Sequence, residues 1–180
     1  MANHCNQRTH GRCATLSVTR RVYAGLFAVS TLSLGASLFA QYALHMRPCP
    51  WCILQRIILM AIGLASLVLY TLPEHSRAGL GGRVGAVGVG SMALGGVASA
   101  LYQHFYAASS ASCAQSFADK VITGLRLDTL LPSVFEPQVA CAQAAASVLG
   151  VPFEFLSATL FLAIGCVVAW SSYQARTNAL

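Results

Sequence analysis

The sequence predicts an all-α membrane protein, a four-transmembrane-helix bundle with two loops on its outer side, the second of them long. Three observations predict it. Of 180 residues, 56% are hydrophobic and only 9% are charged, whereas a soluble domain is nearer a quarter charged, so the chain cannot cover a water-facing surface. Four apolar runs, about 22–44, 53–72, 84–106 and 151–173, are each long enough to cross roughly 30 Å of hydrocarbon. The basic residues divide unequally between the two ends of those runs, as positive-inside topology requires. The net charge of +6 is not gathered on one periodic face, so it reads as a topology signal and not as a nucleic-acid footprint.

Met1 to Arg21 is a polar tail carrying Arg8, Arg12, Arg20 and Arg21. The run that follows reads as an uncleaved anchor. It exceeds the roughly 7–15 residues of a signal-peptide core, and Leu38 sits badly at position −3 of a cut after Ala40. The second run, Ile53 to Leu72, stops at Pro73-Glu74-His75-Ser76-Arg77, and Gly79-Leu80-Gly81-Gly82-Arg83 completes a short turn. In the third run, Gly95/Ser99 and Gly96/Ala100 have the small-xxx-small spacing that lets helix backbones approach closely in lipid. The fourth opens with Pro152 at a first helical position and Glu154 in the first turn.

Four spans put both termini on one side. The termini and the turn between spans two and three carry Arg8, Arg12, Arg20, Arg21, Arg77, Arg83 and Arg176. The opposite side carries Arg47, Lys120 and Arg126, with Arg56 at its boundary. The bias makes residues 1–21 and 174–180 cytoplasmic tails around a single transmembrane domain, 22–173, and puts loops 45–52 and 107–150 outside. Cys49, Cys52, Cys113 and Cys141 thereby face the disulfide-permissive side. Cys166, the odd one of the seven cysteines, falls inside the fourth span.

In the long loop, Phe117, Val121, Leu125 and the Leu130-Leu131 pair recur at helical spacing, broken by Gly124, with Asp119, Lys120 and Arg126 off the stripe. The segment is either an amphipathic helix on the outer membrane surface or a loop helix packed on the bundle, and the pattern leaves both open. A Cys113–Cys141 bond would close about 29 residues, worth about 3.5 kcal/mol in the chain-entropy view, so a structural staple is the alternative to a redox role for that pair, and the presence of the Cys49/Cys52 pair weakens it.

The stretch Arg47-Pro48-Cys49-Pro50-Trp51-Cys52-Ile53-Leu54-Gln55-Arg56 lies between the first two runs. Cysteines two residues apart close a small, strained ring and are chemically active far more often than structural. Cys52 falls at the start of the second helix, where free N–H groups and the dipole favour a thiolate. Arg56, four residues on, shares its face. A charge within a span costs about 3 kcal/mol, which makes Arg56 a functional candidate.

Two outward cysteine pairs on four spans give a chain that resembles the DsbB (disulfide bond formation protein B) family of bacterial inner-membrane quinone reductases. The resemblance covers about Tyr23 to Tyr173. It is carried by Arg47-Pro48-Cys49-Pro50-Trp51-Cys52 with Gln55-Arg56, by Tyr102-Gln103-His104, and by Leu130-Leu131-Pro132-Ser133-Val134-Phe135 before Cys141. The chain departs from the family pattern in having no Trp between Cys141 and Pro152 and a shorter Leu149-Gly150-Val151-Pro152.

The resemblance implies a thiol:quinone oxidoreductase that re-oxidises a DsbA-like thioredoxin-fold protein in the periplasm. Cys113 takes the mixed disulfide, Cys141 attacks Cys49, and Cys52 leaves as a thiolate beside Arg56 and a membrane quinone, ubiquinone or menaquinone. It also implies a place for His104 near that quinone. The DsbA couple is known to lie near about −120 mV, so its oxidant must not sit far below that. No GxGxxG fingerprint follows a strand to hold a nicotinamide or flavin.

Other features are weaker. Cys5 and Cys13, with His4 and His10, fit no standard zinc spacing, and Gln41, Tyr42 and His45 read as interfacial residues. The competing class is a non-enzymatic, disulfide-stapled membrane scaffold or a metal carrier using Cys49 and Cys52. Arg56 opposes it, since it repels a cation and has no acidic neighbour in sequence. The topology carries its own test: an impermeant thiol reagent applied to reduced spheroplasts is expected to label Cys113 and spare Cys5, and the reverse pattern would invert the orientation.

Overall fold

Each apolar run becomes one helix. In lipid every backbone polar group must be satisfied within the segment, and a helix does this locally. The structure, a computed structural model, describes residues 7–107, 116–139, 147–148 and 151–177. The bundle consists of α1 (Gln7–Ala43), α2 (Pro50–Thr71), α4 (Leu80–Tyr102) and α8 (Phe153–Thr177). Within it, Thr19–Ala43, Pro50–Thr71, Leu80–Ala107 and Phe153–Thr177 are long and apolar enough to cross a membrane. The chain is a multi-pass membrane protein.

The ends of these helices differ from the apolar runs for local reasons. Helix α1 starts at Gln7 inside the polar tail, where no hydropathy change marks a boundary. Helix α2 starts at Pro50, whose fixed φ suits a first helical position. Cys49 is its N-cap, extended at φ −89° and ψ 167°. Helix α4 runs on into a π-helical turn, Gln103–Ala107. Pro152 does not open the last helix. It pairs in a two-residue antiparallel ladder, β1 (Ser147–Val148) with β2 (Val151–Pro152), and α8 begins at Phe153. That ladder is the one extended pairing among the described residues.

The short turn between spans two and three holds a helix of its own, α3 (Glu74–Ala78). Its Arg77 is buried. The Nε donates to Leu69 O at 2.9 Å, and Nη2 donates to Tyr70 O and Leu72 O. A residue counted from sequence as a topology charge thus caps the last carbonyls of α2, where a cation also meets the negative end of the helix dipole.

The core lies where α1, α2, α4 and α8 meet, around Tyr23, Leu59, Ile62, Val89, Ala93, Phe161 and Ile164. Of the two small-residue pairs, only Gly96/Ala100 lies at the interface. Gly96, Ser99 and Ala100 are buried and Gly95 is exposed. A Cβ at Gly96 would collide with the ring of the fully buried Phe161 on α8.

The long loop folds back on the bundle as α5 (Phe117–Gly124), α6 (Leu127–Leu130) and α7 (Pro132–Phe135). A Ser116/Asp119 capping box starts α5. Helix α5 packs on α2 through Ala118 and Ile122, and Ile122 joins Ile53 and Phe135 in a small core. The expected stripe is displaced by one residue: Phe117, Leu125, Leu130 and Leu131 are exposed and Val121 is half-buried. Periodicity finds apolar residues, but the small Ala118 decides which face comes close. Cys13 lies on α1, while Cys5, Cys113 and Cys141 lie outside the described residues.

Close approach of α4 and α8 predicts an asymmetry between two glycines. Gly96→Ala must displace the Phe161 ring and is expected to lose about 1–3 kcal/mol. Gly88→Ala meets nothing within 4 Å and should unfold no earlier than the parent. Thermal unfolding in detergent ranks them, and equal midpoints would refute the tight contact.

Candidate active site

Cys49 and Cys52 occupy the first turn of α2, their sulfurs 3.0 Å apart. Cys49 is fully buried against Trp51, Leu54, Ala107 and Ala118, and Cys52 is half-buried. The Cys49 carbonyl accepts the Ile53 N–H at 3.1 Å, the first bond of the helix. Backbone and capping position therefore bring both sulfurs to the same helix end.

A chain of buried side chains reaches Cys52 from two other helices. Gln55 Nε2 donates to Gln103 Oε1 at 2.9 Å. Gln103 Nε2 donates to Cys52 Sγ at 3.4 Å and lies 3.5 Å from Glu154 Oε1. Gln103 is the first residue of the π-helical turn, a local widening of the ladder that recurs at functional sites. Its amide nitrogen is shared between the Cys52 sulfur and the Glu154 carboxylate.

Arg56 is 6% exposed. Its Nη1 donates to Gln41 Oε1 at 2.6 Å and to Val134 O at 3.1 Å, and Nη2 donates to Ser37 O at 3.3 Å. All three acceptors are neutral, so the positive charge is not cancelled and acts on Cys52 one helical turn away. Gln41 is held in turn, since its Nε2 donates to Ser133 O at 3.1 Å, and the Tyr42 hydroxyl donates to the same carbonyl. The loop is also pinned directly to the cysteine segment: Gln138 N–H donates to Pro48 O at 3.0 Å.

The structure thus brings together Cys49, Cys52 and Arg56 from the expected set. His104 is turned another way. Its ring packs on Phe105 (5.0 Å between centroids) and on Phe155 of α8 (4.5 Å), whereas Arg56 bonds to α1 and α7. Beside the cysteines, Trp51 lies 4.7 Å from Tyr102, which lies 5.2 Å from Tyr106, an aromatic ladder along the C-terminal end of α4 and the π-helical turn. The contributions of Gln41, Gln103 and Glu154 were not read from sequence. Each is a polar residue in or beside an apolar run, which is the signal that finds such groups.

The family model for disulfide bond formation protein DsbB matches residues 19–171. A disulfide bond formation protein B of Cupriavidus metallidurans is 31% identical over 159 residues, covering 84% of this chain and 96% of its own length. One from Neisseria meningitidis serogroup C is 34% identical over 155 residues, covering 84% and 93%. One from Aromatoleum aromaticum is 33% identical over 128 residues, covering 69% and 75%.

The Arg56 geometry predicts the effect of removing its nearest acceptor. Gln41→Leu leaves a buried guanidinium short of one charge-assisted bond, worth about 1.5–3 kcal/mol. A lowered thermal midpoint in detergent is the expected result, and an unchanged midpoint would show that Gln41 does not hold Arg56.

Proposed function

The chain belongs to the DsbB family of disulfide bond formation proteins, and we propose that it works as a thiol:quinone oxidoreductase of the bacterial inner membrane, with both termini cytoplasmic and both cysteine pairs periplasmic. Its substrate on the periplasmic side is a DsbA-like thioredoxin-fold dithiol. The observation that carries the reading is the surroundings of one sulfur: Cys52 Sγ lies 3.0 Å from Cys49 Sγ and 3.4 Å from the Gln103 amide, with the Arg56 charge one turn away.

In the proposed sequence, a donor thiolate attacks Cys113 of a Cys113–Cys141 disulfide, and Cys141 leaves as a thiolate. The second donor thiol closes the donor's own disulfide and releases Cys113, so two electrons and two protons pass from the donor to this pair. Cys141 next attacks Cys49 of the Cys49–Cys52 disulfide, and Cys52 departs as a thiolate. Cys113 closes on Cys141 and releases Cys49. Thiol–disulfide exchange is fastest when the leaving sulfur is the better-stabilised anion, and Gln103 and Arg56 favour Cys52 over Cys49 in that role. The tether from Gln138 to Pro48 supports the transfer between pairs. Cys141 follows Gln138 by three positions, a reach of at most about 11 Å.

A quinone supplies a two-electron, two-proton acceptor that returns Cys49 and Cys52 to the disulfide. Cys52 and Arg56 are the residues that would hold it. Among the described residues Arg56 donates twice from Nη1 and once from Nη2, which leaves the Nε–H and one Nη2–H of its five donors for a carbonyl oxygen. His104, against Phe155, is a more peripheral candidate. The planar fork of Arg56 matters here as well as its charge.

Two variants test the reading in a purified assay of quinone reduction by a reduced thioredoxin-like donor. Cys113→Ser should abolish donor oxidation while Cys49 and Cys52 are still re-oxidised by quinone. Arg56→Met should lower both turnover and apparent quinone affinity, with Arg56→Lys retaining part of each. A wild-type quinone titration curve for Arg56→Met would take Arg56 out of the site, and normal donor oxidation by Cys113→Ser would rule out the two-pair relay.

A further inference from the structure

At the end of the bundle opposite the cysteines, α4 and α8 part to leave a cavity of about 760 Å³. Its walls are apolar and small, with Gly90, Ala93, Leu94, Phe161, Leu162 and Gly165 among them. Its mouth is cationic. Arg77, Arg83 and Arg176 line it, and no acidic side chain among the described residues does. Arg77 is 6% exposed, and although three carbonyls take its Nε and Nη2, its Nη1 is buried with no hydrogen-bond partner among the described residues. A buried guanidinium nitrogen with no acceptor is costly, and here it borders a cavity that an acceptor can enter. Arg83 lies in the first turn of α4, whose free N–H groups add positive potential at the same point.

The geometry points to a binding site for one anionic glycerophospholipid, its phosphate at Arg77, Arg83 and Arg176 and an acyl chain between α4 and α8. Charge selects an anionic headgroup over a zwitterionic one, because no acidic side chain among the described residues lines the cavity beside the three cations. Length selects a lipid over a free anion. From Arg83 to Val97, the last α4 residue lining the cavity, is fourteen residues, or about 21 Å of helix, and one leaflet with its headgroup region measures roughly 20–22 Å. The site lies far from the redox chemistry: Gln103 is twenty residues along the helix from Arg83, about 30 Å. It rests on none of the residues assigned to thiol exchange.

Native mass spectrometry of the delipidated full-length protein tests this, with dioleoylphosphatidylglycerol, dioleoylphosphatidylcholine and inorganic phosphate as probes. One phosphatidylglycerol is expected to be retained at concentrations where phosphatidylcholine is not, and phosphate should not displace it. Arg83 and Arg176 are exposed, so their removal leaves the core intact. Each is expected to contribute roughly fivefold, and the Arg83→Ala/Arg176→Ala variant should bind phosphatidylglycerol roughly 25-fold more weakly. A Cβ at Gly90 meets nothing within 4 Å, so Gly90→Leu fills the groove without displacing a neighbour and should weaken both lipids at an unchanged thermal midpoint. Equal affinity for the two lipids, unchanged binding by the double variant, displacement by phosphate alone, or a second copy of the chain in place of the lipid would each overturn the assignment.

Discussion

Much of this structure depends on satisfying one guanidinium inside the membrane domain. Arg56 carries a charge whose insertion costs about 2.5–3.5 kcal/mol, and no acid among the described residues pairs with it. Three charge-assisted bonds, each worth about 1.5–3 kcal/mol, outweigh that cost. They come from Ser37 and Gln41 on α1 and Val134 on α7, so satisfying the charge ties the first helix and the long loop to α2. Because the acceptors are neutral, the field of the cation is left to act on the sulfur one turn away.

The same economy recurs elsewhere in the bundle. Gln55, Gln103 and Glu154 would each be expensive alone in an apolar interior, and each finds a neighbour in the other two or in Cys52. Arg77 is met by the free carbonyls at the end of α2, which need donors in any case. The buried Gln, Glu and Arg side chains sit near helix ends or at the π-helical turn. Close packing holds the helices together elsewhere, with Gly96 admitting Phe161 and Gly85 admitting Leu69.

Two ends of one bundle thus have different characters. The end with α5 and α7 is covered by the loop, which places buried Ala118, Ile122 and Phe135 over the first turns of α2. It covers Cys49, and a backbone bond from Gln138 to Pro48 ties the loop to the cysteine segment. The opposite end is open between α4 and α8 and lined with arginines. The first arrangement suits thiol exchange, and the second suits contact with the bilayer's charged surface.

The amino-acid sequence by itself determined the class of fold and the chemistry. Runs of twenty or more apolar residues have few alternatives to a spanning helix, so the four helices were legible, as was the placement of Cys49, Cys52 and Arg56 on one helix start, since those depend on neighbours in the chain. What the tertiary structure decided is which residues meet across helices. Periodicity marked Phe117, Leu125 and Leu130 as one face of the loop, but packing buried Ala118 and Ile122, because a small side chain lets α5 reach α2. Gln41 looked interfacial and became the closest partner of Arg56; the His104 ring found Phe155 of α8 as a neighbour; Arg77 looked like a loop charge and became a cap. Each of these contacts joins residues from separate elements, Gln41 and Arg56 fifteen positions apart and Gln103 and Cys52 fifty-one. Spacing along the chain carries no record of such pairs, because they form only when the desolvation of polar groups in the bundle forces each to find an acceptor or donor.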